Sequence, residues 1–210
     1  MTDRAVAAVL EHAEAGCDLR RRFFDAHAGY IAQLALRMAV TVASGNKVLF
    51  CGNGGSAADA QHLAAEFVNR FVMDRPPLPA IALTTDSSIL TSIGNDFGFE
   101  LVYAKQVQAL GNRGDMLVAL STSGNSRNVI LALEAARERG LVTLGLTGRG
   151  GGTMAPLCDL LLAVDGPNTA LIQEVHITAG HMLCGLTDYY LFENVAELAP
   201  YLDGSLPLPM

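Results

Sequence analysis

His62 and Glu66 stand four residues apart in a stretch, Ala57 to Arg70, whose apolar spacing predicts a helix. At that spacing both side chains share one helix face. An imidazole and a carboxylate so placed can ligate one metal ion, act as an acid–base pair, or form a plain surface pair. Gln173, Glu174, His176 and His181 occupy a second predicted helix that is otherwise largely apolar. Polar groups buried in such a helix destabilise it unless they find partners. Gln173 and His181 lie about 12 Å apart along the helix axis and about 80° apart around it. They reach one ion only with long, converging side chains, or they serve different sites supplied by neighbouring subunits. Spacing leaves both open.

Two loops offer binding rather than proton transfer. Gly52-Asn53-Gly54-Gly55-Ser56 follows the first predicted strand directly. Its glycines let backbone approach a ligand, and the helix after it presents free N–H groups and a positive dipole end. Ser121-Thr122-Ser123-Gly124-Asn125-Ser126 follows a later strand and opens another helix. An N-cap needs one hydroxyl, Ser126 or Ser123. The remaining hydroxyls, with backbone amides at a helix start, suit a neutral phosphate cradle. The loop is no P-loop, because no GKS or GKT follows, and GxGxxG is absent after the first strand. Asn95-Asp96, within Ile93–Phe99, reads as a glycine-flanked polar turn with an Asx cap.

These residues need a scaffold, and the apolar pattern supplies one. Asp3 to Ser44 carries helical spacing, as one long helix or as two broken near Gly16 or Gly29. Apolar runs then alternate with helical stretches. Strands are expected at Lys47–Cys51, Ala80–Leu83, Met116–Leu120, Val142–Leu146 and Leu160–Val164. Helices are expected at Ala57–Arg70, Leu101–Leu110, Ser126–Arg139 and Ala170–Glu193. Fully apolar strands alternating with helices mean a parallel sheet covered on both faces. The fold class is therefore α/β, a doubly wound parallel sheet of about five strands, with an N-terminal helical segment. The end of the chain from Asp203 to Met210 is expected to fray.

Composition narrows the class further. The 210 residues are 50% hydrophobic, which excludes a disordered chain. A formal charge of −7 argues against nonspecific nucleic-acid binding, and Arg20-Arg21-Arg22 reads as a solvated helix face. The four cysteines, Cys17, Cys51, Cys158 and Cys184, show no CxxC spacing and read as small buried hydrophobes in a reducing compartment. The N-terminus lacks the pattern of a signal peptide, and no stretch approaches a membrane span, so a cytoplasmic protein is expected.

Cys51 to His62 through Glu66, Gly94–Phe99, Ser121–Ser126, Leu146-Thr147-Gly148 and Ile172–His176 together resemble the phosphoheptose isomerases. The resemblance runs over nearly the whole chain, in order and spacing, while the serine-rich loop alone is shared by the wider sugar-isomerase (SIS) superfamily. It implies isomerisation of sedoheptulose 7-phosphate to D-glycero-D-manno-heptose 7-phosphate, the first committed step towards the heptose of lipopolysaccharide or of glycosylated surface layers. It implies one Zn2+ per subunit on His62, Glu66, Gln173 and His181, with Glu66 and His181 as the acid–base residues. Ser121, Ser123 and Ser126, with Thr122 beside them, would hold the phosphate. Asn53, Gly54, Gly55, Ser56, Asn95, Asp96, Glu66 and Gln173 would line the sugar. A homotetramer with sites between subunits is implied, with residues 1–45 as a packing segment, 46–196 as the SIS domain and 197–210 as a tail.

One departure stands out: the Asp-Arg pair that many members carry before Ile-Gln-Glu is Ala170-Leu171 here. Other stretches are similar to a DnaA-binding replication-initiation adaptor of the same superfamily. They are Val68–Phe71, Leu78–Asp86, Tyr103–Val107, Leu183–Leu186 and Leu191-Phe192. Such adaptors lack the acidic residue at the position of Glu66 and the histidine at that of His181, and this chain has both. A sugar-phosphate sensor without turnover would need the serine loop but not His62, Glu66 and His181 together.

Overall fold

The computed structural model describes residues 3–207. Residues 208–210 of the expected frayed end lie outside them. Five parallel strands form one sheet in the order β2-β1-β3-β4-β5. They are β1 (Val48–Gly52), β2 (Ala80–Ala82), β3 (Met116–Ser121), β4 (Val142–Gly148) and β5 (Leu160–Val164). Alternate residues feed two cores. Val48, Phe50, Met116, Val118 and Leu120 pack on one face with α1 (Asp3–Ala43), α2 (Gly55–Val68) and α6 (Thr169–Asp188). Leu49, Cys51, Leu117 and Ala119 pack on the other with α4 (Ala104–Leu110) and α5 (Arg127–Arg139).

The chain runs outward from β1 to β2 on one side and returns to β3 on the other. The sheet order therefore reverses between β1 and β3, where open α/β sheets bind ligands. The Gly52–Ser56 and Ser121–Ser126 loops leave those two strands.

Four expectations change. The N-terminal segment is one unbroken helix of 41 residues, and Gly16 lies buried where α1 meets α6 rather than at a break. Asn95-Asp96 is not a turn: the two residues end α3 (Ser87–Asp96), which Asp86 caps by accepting from the Ile89 amide. The helix expected from Leu101 starts at Ala104, after a 3-10 turn over Phe99–Leu101. The last long helix stops at Asp188, passes through a π turn at Tyr189–Glu193, and gives way to α7 (Val195–Leu202). The segment from 197 is thus no simple tail, because Leu198 is buried in the core. Cys51 and Cys184 are buried as expected, whereas Cys17 is exposed.

Candidate active site

His62 and Glu66 face the same way on α2, with Nε2 to Oε1 at 3.3 Å. His181, from α6, meets them: its Nε2 is 2.8 Å from the His62 Nε2. Gly180 makes this meeting possible, since a Cβ there would fall 2.6 Å from Leu63 Cδ2 and push α6 off α2. Phe71 covers the other face of His181, ring centroids 5.3 Å apart and nearly parallel at 26°. Glu66 is mostly shielded, at 17% side-chain exposure, while His62 is half open at 46%.

Gln173 does not join this group. Its amide donates to the Asp59 carboxylate at 3.2 and 3.3 Å and lies against Gly55. Eight residues of helix separate it from His181, and both side chains follow their own neighbours. Asp59 is buried, and that burial pushes its carboxyl above the usual range, against the pull of Gln173, His62 and His181. Sequence reasoning missed Asp59, although Asp59, His62 and Glu66 recur at i, i+3 and i+7, one helical stripe.

Two imidazole nitrogens and a carboxylate oxygen form a donor set that suits zinc. Nitrogens bound to one tetrahedral zinc ion stand about 3.3 Å apart. The His62–His181 pair at 2.8 Å is therefore a ring-to-ring hydrogen bond. Among the described residues, no group of three or more His, Cys, Asp or Glu is disposed to hold a metal ion. The donor chemistry fits the metal; the arrangement of Gln173 does not add a fourth ligand.

The serine loop is built at the start of α5. Ser126 occupies the N-cap position, but its hydroxyl makes no cap bond. Ser126 Oγ pairs instead with Ser121 Oγ at 3.0 Å, and Ser123 Oγ lies 3.5 Å from Ser121 Oγ. The first-turn amides of α5 are thus not satisfied by that hydroxyl. Asn125 ties the loop to the next one, accepting from the Thr153 amide and hydroxyl at 2.9 and 2.8 Å.

Asn53 and Asn128 exchange two amide hydrogen bonds of 2.8 Å, bridging the loop after β1 and the first turn of α5. With Ser126, Arg127, Phe99 and Glu100 they line a polar groove of about 530 Å³. The buried Tyr103 hydroxyl donates to the Gly52 carbonyl at 2.5 Å and steadies the first loop. Neither Asn128 nor Tyr103 was singled out in the sequence. A second asparagine in the first turn after a serine loop was the available signal for Asn128. Asn95 and Asp96 are exposed and bond to each other, Nδ2 to Oδ1 at 2.8 Å, so one chain does not bring them to the imidazole pair.

His176 points inward from α6. Its Nε2 donates to the Thr147 carbonyl at 3.0 Å, at the end of β4. Burial pushes the imidazole down to about 4, so the ring is neutral. Leu171 is buried, and its apolar side chain offers no polar contact.

Comparison with known proteins sets this geometry in a family. The model of the SIS domain matches residues 11–148. The phosphoheptose isomerase of Nitratidesulfovibrio vulgaris (strain DSM 19637 / Miyazaki F) is 68% identical over 99% of this chain and 100% of that protein. The structure of phosphoheptose isomerase from Neisseria gonorrhoeae superposes with a TM-score of 0.83 at 45% identity, covering 88% of this chain and 98% of that one. The phosphoheptose isomerase from Francisella tularensis gives 0.85 at 40% identity, covering 90% and 99%.

Proposed function

The chain belongs to the phosphoheptose isomerases of the SIS-domain family, and from that membership we propose that it interconverts sedoheptulose 7-phosphate and D-glycero-D-manno-heptose 7-phosphate. The observation that carries this reading is the meeting of His62, Glu66 and His181 from two helices. Ketose–aldose exchange moves a proton between C1 and C2 through an enediol. Glu66 takes the carbon-bound proton and returns it to the neighbouring carbon, and His181 moves the hydroxyl proton. Ser121, Ser123 and Ser126, with Thr122, hold the phosphate at the helix start, which positions the sugar rather than reacting with it. Asn53, Gly54, Gly55 and Ser56 line the sugar from the neighbouring loop.

His62, Glu66 and His181 would hold one zinc ion per subunit, and the family resemblance names Gln173, here bonded to Asp59, as the fourth donor. Bound there, the ion supplies positive charge for the enediolate oxygens. Assembly as a homotetramer is part of the same proposal, with Asn95 and Asp96 entering the site of a neighbouring subunit. It is supported by the exposed Val6, Val9 and Leu10 on α1. An apolar groove of about 580 Å³, lined by Phe24, Ile31, Phe71, His181, Met182 and Leu186, supports it too. The free cysteines agree with a cytoplasmic setting. No helix among the described residues is long and apolar enough to cross a membrane. The comparisons give the replication-adaptor alternative no support.

The test is incubation with sedoheptulose 7-phosphate, followed by NMR for the aldose, with and without chelation and added zinc. Zinc-dependent conversion is the expected result. No conversion by zinc-replete tetramer would overturn the reading. A second expectation concerns the serine loop. Gly124 has φ +66°, and a Cβ there would fall 2.1 Å from the Gly151 carbonyl oxygen. Gly124→Ala should destabilise the fold by about 1–2 kcal/mol from the left-handed backbone alone. It should also weaken inhibition by inorganic phosphate. Unchanged phosphate inhibition would detach this loop from phosphate binding.

A further inference from the structure

Arg75 lies outside the residues given a role so far, in the segment between α2 and β2. Its guanidinium lies within hydrogen-bond distance of five acceptors, with the two Nη1 hydrogens shared among three of them. Nε reaches Asp188 Oδ1 at 2.9 Å, and Nη2 reaches the Glu66 carbonyl at 2.9 Å. Nη1 reaches the carbonyls of Phe67, Asn69 and Pro76 at 2.7, 3.2 and 3.1 Å. The last carbonyls of a helix lack intrahelical partners and favour a cation. Arg75 thus caps the final turn of α2, where Glu66 sits. Its ion partner Asp188 is the last residue of α6, two turns beyond His181. Both side chains are nearly sealed, at 2% and 5% exposure. The same guanidinium joins Asn69 to Pro76, closing the segment that carries Phe71 onto His181.

One group therefore fixes three things at once: the end of α2 under Glu66, the end of α6 beyond His181, and the loop whose aromatic ring covers His181. We infer that Arg75, paired with Asp188, is a positioning residue that sets Glu66 and His62 against His181. The inference rests on the isomerase reading. Lysine keeps the charge but cannot span five acceptors in a planar fork. Among the described residues, none of the hydrogen bonds or ion pairs of Arg75 reaches the serine loop between β3 and α5, so phosphate binding should not feel the change.

Arg75→Lys is the test, assayed well below its melting temperature. The kcat for sedoheptulose 7-phosphate should fall at least about tenfold, since small misplacements of reacting groups are strongly felt in rate. KM and inhibition by inorganic phosphate should stay within about twofold, because the phosphate cradle is untouched. Imidazole 15N–1H correlations of His62 and His181 should shift in the variant. A purely structural residue would lower the melting temperature and leave kcat and those signals alone. Wild-type kcat, an equal loss in phosphate affinity, or unshifted imidazole signals would each overturn the inference. Should Arg75→Lys not fold, Asp188→Asn is read by the same measurements. Should the wild type not convert the sugar, the isomerase reading fails, and the imidazole signals alone decide whether the clamp positions the rings.

Discussion

Glu66→Gln is expected to lower turnover of sedoheptulose 7-phosphate by about 10²–10⁴, the usual loss when a general base is removed. Glutamine has nearly the shape of glutamate, and its amide takes up no proton at neutral pH. Among the described residues, the one ion-pair partner of the Glu66 side chain is His62, Nε2 to Oε1 at 3.3 Å. On the proposed roles the substitution removes the proton acceptor and weakens one zinc donor without opening a cavity, so zinc content is measured beside turnover, and the melting temperature should change little. His181→Ala should abolish turnover as well while leaving the oligomer assembled, which size-exclusion chromatography checks. If Glu66→Gln keeps full activity by NMR, Glu66 has no part in the proton transfer. If His181→Ala turns over normally, the acid–base pairing is wrong.

The second large effect is on stability in acid. His176 is buried and neutral in the folded chain, its imidazole pushed down to about 4. In the unfolded chain a histidine takes up its proton near 6.5. Between those values the unfolded state binds the extra proton, so stability falls as pH drops below about 6.5 and levels off below about 4. The full contribution is about 3 kcal/mol, present at neutral pH and lost across that window. Urea unfolding at pH 7, 5.5 and 4.5 measures it. His176→Gln should flatten this part of the profile, because glutamine can donate to the Thr147 carbonyl but has no proton to take up. Identical pH slopes in the wild type and the variant would show that His176 does not drive acid unfolding.

Local pattern carried most of the fold. Val48-Leu49-Phe50-Cys51 and Met116–Leu120 read as buried strands because both faces of a doubly covered sheet are apolar, and all five strands lie where the runs predict them. Two helices, α3 and α7, had no counterpart among the expected elements, and α1 runs unbroken through Gly16 and Gly29. The other differences lie at element ends, where local signals compete with packing. Gly94 and Gly98 suggested a turn around Asn95-Asp96, yet α3 continues through Gly94 to Asp96 and stops before Gly98. The apolar spacing beyond Asp188 continued smoothly, while the chain opened into a π turn that seats Leu198 in the core.

The site divides along the same line. The pairing of His62 with Glu66 was legible because four residues is one helical turn, and the serine loop because hydroxyls clustered before a helix. Whether His181 or Gln173 joined them was undecidable from spacing. The answer depended on how closely α6 approaches α2 at Gly180 and on Asp59 holding Gln173 aside. Arg75 gave no sign in the sequence, since its acceptors are mostly backbone carbonyls, which every residue carries. By itself the sequence determined the five strands, most of the helices, the two loops after β1 and β3, and the residue types of the chemistry, because periodicity and turn preferences act between near neighbours. Tertiary structure alone decided which side chains meet, because helix approach depends on side-chain volume and buried polar pairing across residues far apart in the chain.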